Sequence, residues 1–142
     1  APGFLMAKLS DVSDKKFSVE VQVRGYELDA YGLLNNAVYL NYAEYARWCM
    51  IQESGAGDDF FSRNQVVPVV ARLEVSYRVA CKMAEWVRVE TRMVECRSRM
   101  AKFEQKVFRK KDGELAADLL VSLICTQEGK AVMLPDGFKK FF

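Results

Sequence analysis

One segment constrains this fold more than any other. Ala37, Val38, Leu40, Ala43, Ala46, Met50 and Ile51 follow helical spacing, with Arg47 among them. The apolar residues cover much of the helix surface instead of a single narrow stripe. A helix this apolar has to be enclosed, and the natural enclosure is a sheet. Asn35 or Asn36 provides an N-cap at its start, and Gly55-Ala-Gly57 ends it in the manner of C-terminal glycines.

The rest of the chain supplies that sheet. Phe17-Ser-Val-Glu-Val-Gln-Val-Arg24 alternates apolar and polar at period two, the pattern of a half-buried strand. Tyr26 to Leu34 reads as an ordered loop, and a polar link is expected around Asp58 to Gln65. Strands are then expected over Val66 to Val79, Trp86 to Glu95, Met100 to Lys110 and Leu115 to Gln127. In the first of these, Val69, Ala71, Leu73, Val75 and Tyr77 would share one face. Lys111-Asp-Gly113 is a hairpin turn, and Glu128-Gly-Lys130 leads into a short last strand before Pro135. One strand, one long helix and a run of antiparallel strands make an α+β fold, an antiparallel sheet wrapped around one central helix. At 142 residues the chain fits one domain, and no repeat or linker divides it. Residues 1–14 read as a flexible N-terminal segment and 15–142 as the domain.

Charge and composition remove several classes of function. A net charge of +2 gives no global field for nucleic acid or membrane. No apolar run approaches the ~20 residues that span a bilayer, and Ala1 to Asp14 lacks the apolar core of a secretory signal. Cys49, Cys81, Cys96 and Cys125 are scattered without a Cys-x-x-Cys pair. They read as reduced core thiols of a cytoplasmic-type compartment, with plastid stroma as an alternative. The chain has no histidine, which excludes Ser-His-Asp and Cys-His hydrolases together with His-containing zinc sites. No metal is expected, and acid–base chemistry must rest on carboxylates, Lys, Tyr or Cys.

Among the carboxylates Asp29 stands out, because it precedes Gly32 and the pair Asn35-Asn36 at the start of the long helix. The first amides of a helix lack partners and carry the positive end of the dipole. A carboxylate beside them can attack a carbonyl, or activate water to do so, while an amide holds the oxyanion. Taken alone, an Asp in such a loop is more often a turn or cap residue than a catalyst.

The stretch Tyr26-Glu-Leu-Asp-Ala-Tyr-Gly-Leu-Leu-Asn-Asn-Ala-Val-Tyr-Leu-Asn-Tyr-Ala-Glu-Tyr-Ala-Arg47 closely resembles the signature of the hotdog-fold acyl thioesterases, the 4-hydroxybenzoyl-CoA thioesterase-like group. That pattern runs Tyr-x-x-Asp-x-x-Gly-x-x-Asn-Asn-x-x-Tyr-x-x-Tyr-x-Glu-x-Ala-Arg, and every position is filled. The resemblance extends over roughly Phe17 to Phe138. It implies a hydrolase of acyl-coenzyme A or acyl carrier protein thioesters, with a fatty acyl chain favoured over an aromatic one. It implies Asp29 as nucleophile or general base, and the backbone N–H of Asn36 as oxyanion donor. Gly32 would shape the loop or let the thioester approach the backbone, and Asn35 would cap the helix, orient Asp29 or both. Many relatives carry His after the Gly where this chain has Leu33. A homodimer or homotetramer is implied, with sheets joined edge to edge and the site between protomers. No cofactor is implied, since coenzyme A or phosphopantetheine arrives as part of the substrate.

Other residues keep two readings. Tyr26 and Tyr39 are candidates for substrate contact, although Tyr39, Tyr42 and Tyr45 also suit packing and interfaces. Arg97, Arg99 and Lys102, with Lys106 and Arg109-Lys-Lys111, could receive phosphates or the acidic surface of a carrier protein; otherwise they are solvated strand faces. In a different hotdog subgroup a helix Glu replaces the Asp as catalyst, but with Asp29 present Glu44 reads as a structural partner of Arg47 at i+3. Phe138-Lys-Lys-Phe-Phe142 reads as an end docked on its own domain. A catalytically silent acyl-CoA binder remains the alternative function.

Overall fold

A computed structural model describes residues 13–142, so all but the last two residues of the expected N-terminal segment lie outside it. Strand β1 (Phe17–Gln22) leads through a single 3-10 turn (Gly25–Glu27) to helix α1 (Asn36–Glu53). A short helix α2 (Gly57–Arg63) follows. Then come β2 (Val67–Tyr77), β3 (Trp86–Cys96), β4 (Ala101–Arg109), β5 (Leu115–Gln127), β6 (Lys130–Val132) and a terminal turn of helix, α3 (Phe138–Phe141). The strands form one antiparallel sheet in the order β1-β3-β4-β5-β2, and β6 pairs with the end of β5. This is the α+β arrangement expected: a sheet curled around one long helix.

Alternation along β3, β4 and β5 decides which face meets the helix. Val87, Val89, Val107, Ala117, Leu119 and Val121 pack against Tyr39, Tyr42, Ala43 and Ala46 of α1. The two alanines have no bulk to hold the helix away from the sheet, and both are buried. A second cluster closes the C-terminal end of α1, where Met50 and Ile51 meet Phe60, Phe61, Met93, Phe103, Phe138 and Phe142. The aromatic C-terminus therefore docks on its own domain. The four cysteines are free thiols, with Cys81 and Cys125 buried.

One buried polar group ties helix to sheet. Gln105 of β4 is fully buried; its Nε2 donates to Ala43 O and to Thr91 Oγ1, each at 2.9 Å. Its Oε1 accepts from the Arg47 guanidinium at 2.9 Å. Arg47 is thus held chiefly by Gln105, while Glu44, the partner expected at i+3, contributes only through its charge.

Two expectations need correction. The polar link around Asp58 to Gln65 is largely α2, because Phe60 and Phe61 fold that segment down onto Phe138. With only two apolar neighbours among polar residues, a helix this short has no visible period. The proposed single face of β2 also breaks. The register between β2 and β5 shifts between Val70 and Arg72, where Ala71 is the extra residue. A bulge of one residue reverses the faces. Leu73 and Val75 pair with the core residues Val121 and Leu119, whereas Val69 pairs with Ile124 on the other face.

Candidate active site

The loop ahead of α1 is organised by the side chain of Asp29. Its Oδ1 accepts the backbone N–H of Tyr31 at 2.8 Å and of Leu33 at 3.1 Å. The backbone closes the same turn, with Asp29 N donating to Leu33 O and Gly32 N donating to Asp29 O. Gly32 makes this possible through φ +78, a region costly for residues with a Cβ. No atom lies within 4 Å of where a Cβ would be, so space is not the reason for glycine here. The Oδ2 atom of Asp29 has no partner among the described residues.

The loop is anchored on both sides. Leu34 N donates to Cys81 O, and Asn35 N donates to Glu27 O. Glu27 is itself braced, its Oε1 accepting Arg24 N at 2.9 Å and the Tyr42 hydroxyl at 2.6 Å. Burial, reinforced by that bond to Glu27, pushes the Tyr42 hydroxyl far above its ordinary pKa, so Tyr42 stays a donor.

At the helix start Asn35 is the N-cap, its Oδ1 accepting Ala37 N at 2.9 Å. Asn36 is the first helical residue. Its N–H, among the described residues, has no acceptor, as helix geometry dictates for a first-turn amide. Asp29 and Asn36 line one cavity of about 390 Å³, closed by Leu33, Leu34, Tyr39, Tyr77, Arg78, Val79 and Ala80. That volume is in the usual range for small-molecule sites. Tyr39 is 3% exposed, and burial raises its hydroxyl pKa strongly.

The structure therefore brings together Asp29, Asn36 and Tyr39, with Gly32 and Asn35 shaping the frame around them. It does not bring in Tyr26, which is 85% exposed on the 3-10 turn and lines neither this cavity nor its neighbour. Arg97 and Arg99 lie in the β3–β4 turn, beyond the last β3–β4 pair, Cys96 with Ala101, and Lys102 lies just inside β4, opposite Glu95. Trp86 at the other end of β3 is the end that faces the Asp29 loop, through Val23 and Glu85. Eleven residues of strand span about 33 Å, so within one chain the basic turn is remote from Asp29. Arg97 and Lys102 share Glu95 at 3.4 and 3.7 Å, which offsets part of their charge. Glu44 lines neither cavity.

A larger cavity, about 530 Å³, opens between α1 and β1, lined by residues that include Arg24, Glu27, Tyr42, Tyr45 and Trp86. Its half-buried carboxylate, Glu27, is engaged by Arg24 and Tyr42, and the long helix does not start at it. The smaller cavity, by contrast, sets the Asp29 carboxylate beside a helix start. Sequence reasoning had no signal for Tyr77, Arg78, Val79 and Ala80, which come from the end of β2 and the link after it.

Known proteins resemble this chain over most of its length. A family model described as the thioesterase-like superfamily matches residues 23–142. Long-chain acyl-CoA thioesterase FadM of Escherichia coli is 26% identical over 106 residues, covering 75% of this chain and 80% of that protein. Acyl-CoA thioesterase YbgC of Haemophilus influenzae is 30% identical over 128 residues, covering 89% and 91%. The crystal structure of 4-hydroxybenzoyl CoA thioesterase from Pseudomonas superposes with a TM-score of 0.83 over 90% of this chain and 99% of that one; at 13% identity it speaks for the hotdog fold alone.

Proposed function

This chain belongs to the thioesterase-like superfamily, and from that premise we propose that it hydrolyses acyl thioesters of coenzyme A to the free acid and thiol. The observation that carries the reading is the shared cavity, with the Asp29 carboxylate and the unpaired Asn36 N–H on its wall. The Oδ2 atom of Asp29 is the reactive oxygen, Oδ1 being held by two amides.

Two routes use these groups. In one, Oδ2 attacks the thioester carbon, the carbonyl oxygen becomes an oxyanion at Asn36 N–H, and collapse expels the thiolate to leave a mixed anhydride. Water then cleaves the anhydride, releasing the acid and restoring the carboxylate. In the other, Asp29 takes a proton from water as it adds to the carbon, and the departing thiolate recovers that proton. Both need the ionised carboxylate and a fixed donor for the oxyanion. The reaction needs no cofactor. A fatty acyl chain is favoured, supported by the long-chain acyl-CoA relative; a carrier-protein thioester is the alternative form of substrate.

The active form in this reading is at least a dimer. Among the described residues strand β2 pairs only with β5, and its Val67 and Val70 are 60% and 40% exposed. A long apolar edge of this kind invites a second copy. Antiparallel pairing of two β2 strands would set the Tyr77 end of one against the Val67 end of the other. The β3–β4 turn lies at that Val67 end, since Ala101 and Val67 pair with Leu123 and Thr126 of β5. Arg97, Arg99 and Lys102 of the second copy would thereby reach the end of the molecule where the Asp29 cavity opens, suited to the phosphates of coenzyme A.

The test is thiol release from a panel of acyl-coenzyme A and acyl carrier protein thioesters, wild type beside Asp29→Asn. Loss of a functional nucleophile or base should lower kcat at least about a hundredfold with the fold intact. Equal activity in the variant would move the catalyst elsewhere. Tight acyl-CoA binding without turnover by the wild type would favour a silent binder.

A further inference from the structure

The peptide unit joining Asn36 and Ala37 is gripped at both ends. Its N–H, on Ala37, donates to the Asn35 side chain at 2.9 Å. Its carbonyl, on Asn36, accepts the Tyr77 hydroxyl at 2.7 Å. The two grips come from distant parts of the chain, the helix cap and the last residue of β2. Tyr77 is itself held, its ring meeting Tyr39 edge to face at 5.3 Å between centroids. It also lines the cavity that contains Asp29.

Neither hydrogen bond touches the Asn36 N–H, which belongs to the preceding peptide. They fix the plane on its far side, and so the direction in which Asn36 N–H points. The preceding peptide is engaged from the other end, since Asn35 O accepts Val38 N at 2.9 Å. A peptide whose carbonyl accepts a hydrogen bond is polarised and becomes a better donor through its N–H. Around this one vacant donor every neighbouring backbone group is therefore occupied.

An ordinary helix does not need the Tyr77 contact. A first-turn carbonyl is already an acceptor within the helix, and Tyr77 is 45% exposed, so its hydroxyl could be satisfied by water. A contact redundant for folding but made on the peptide next to the donor calls for another explanation.

We infer that Tyr77 is a positioning residue for thioester hydrolysis, its hydroxyl holding the Asn36 peptide so that Asn36 N–H meets the oxyanion. The inference rests on the reaction proposed above. It also gives β2 a second role, because the strand whose free edge would receive another copy reaches the oxyanion donor through its last residue.

The test is Tyr77→Phe, which removes the hydroxyl and keeps the ring against Tyr39. Steady-state thiol release should show kcat down on the order of tenfold, less than for loss of a whole oxyanion donor, with KM within about twofold. The urea midpoint should stay close to that of the wild type. Tyr77→Leu, which also removes the ring, should lower kcat at least as far. An unchanged kcat in Tyr77→Phe beside an active wild type overturns the inference alone. A rise in KM at constant kcat also overturns it, by making Tyr77 a ground-state contact. A wild type that releases no thiol from any substrate overturns the functional reading, and this inference with it.

Discussion

Gln105→Leu tests how α1 is fixed to the sheet, and the expected loss follows from three bonds. The change removes the acceptor of the Arg47 guanidinium and the donor to Ala43 O and Thr91 Oγ1. Ala43 O keeps its helical partner, and the Thr91 hydroxyl can rotate, so those two losses are small. Arg47 loses the only side-chain acceptor it has among the described residues, while burial already depresses its guanidinium below the ordinary pKa. A hydrogen bond to a charged group contributes about 1.5–3 kcal/mol, and the neutral ones about 1 kcal/mol or less. Leucine in the same volume returns roughly 1 kcal/mol of transfer energy, leaving a net loss of about 2–3 kcal/mol. For a domain of this size that is on the order of 8–10 °C in Tm. Urea unfolding should show the midpoint falling with the slope unchanged. The decisive measurement is a cycle with Arg47→Met. Once the charge is gone, an apolar residue at 105 leaves little unsatisfied, so the double variant should be at least about 1 kcal/mol more stable than the sum of the single changes implies. Additive losses, or a Gln105→Leu protein within about 0.5 kcal/mol of wild type, would refute the view that Gln105 exists to satisfy Arg47.

Two further outcomes are expected. Val70→Lys, on the exposed edge of β2, should shift sedimentation from dimer to monomer and lower activity in parallel; a monomeric protein with full activity would contradict the shared site. Burial pushes the Cys125 thiol from 9.0 to about 11. Because the folded value is the raised one, its stabilising contribution is complete below about pH 9 and is lost as pH climbs through about 11. Urea midpoints between pH 8 and 11 should therefore fall more steeply in the wild type than in Cys125→Ala, and parallel slopes would exclude this group.

What could be read in the sequence was what is local in the chain. The long helix declared itself through Ala43, Ala46, Met50 and Ile51, which recur at helical spacing and form the face buried against the sheet. Tyr45 and Trp48 leave its other side exposed, so the sheet covers one face and does not enclose the helix. Strands β3 and β4 alternate buried and half-buried residues at period two along nearly their whole length, and Leu115 to Gln127 coincides with β5 at both ends. Periodicity could not locate the bulge at Ala71, since a one-residue insertion inside an apolar run looks like more of the same run. It could not find α2 either, whose two buried phenylalanines are held by a chain end nearly eighty residues away. The candidate site divides in the same way. Asp29, Gly32, Asn35 and Asn36 lie within eight positions and form a pattern; Tyr77 to Ala80 join them only through the curl of the sheet.

In the proposed reaction Asp29 would keep two duties at once. From sequence, a turn residue and a catalyst were competing descriptions of the same side chain. In the structure Oδ1 does the work of a turn residue, collecting two amides, and that leaves Oδ2 as the oxygen turned to other use. Gly32 links the two duties, because its positive φ carries the chain round so that Leu33 N–H returns to Oδ1. Relatives with a histidine after the glycine have an additional side chain at Leu33, but the orientation of Asp29 here depends on the backbone N–H of that position. Backbone amides are present whatever the side chain, so this carboxylate is aimed without help from histidine. In the proposed reaction a chain with no histidine would hold its reactive oxygen in place, provided that the glycine and the amides of the loop stay where they are.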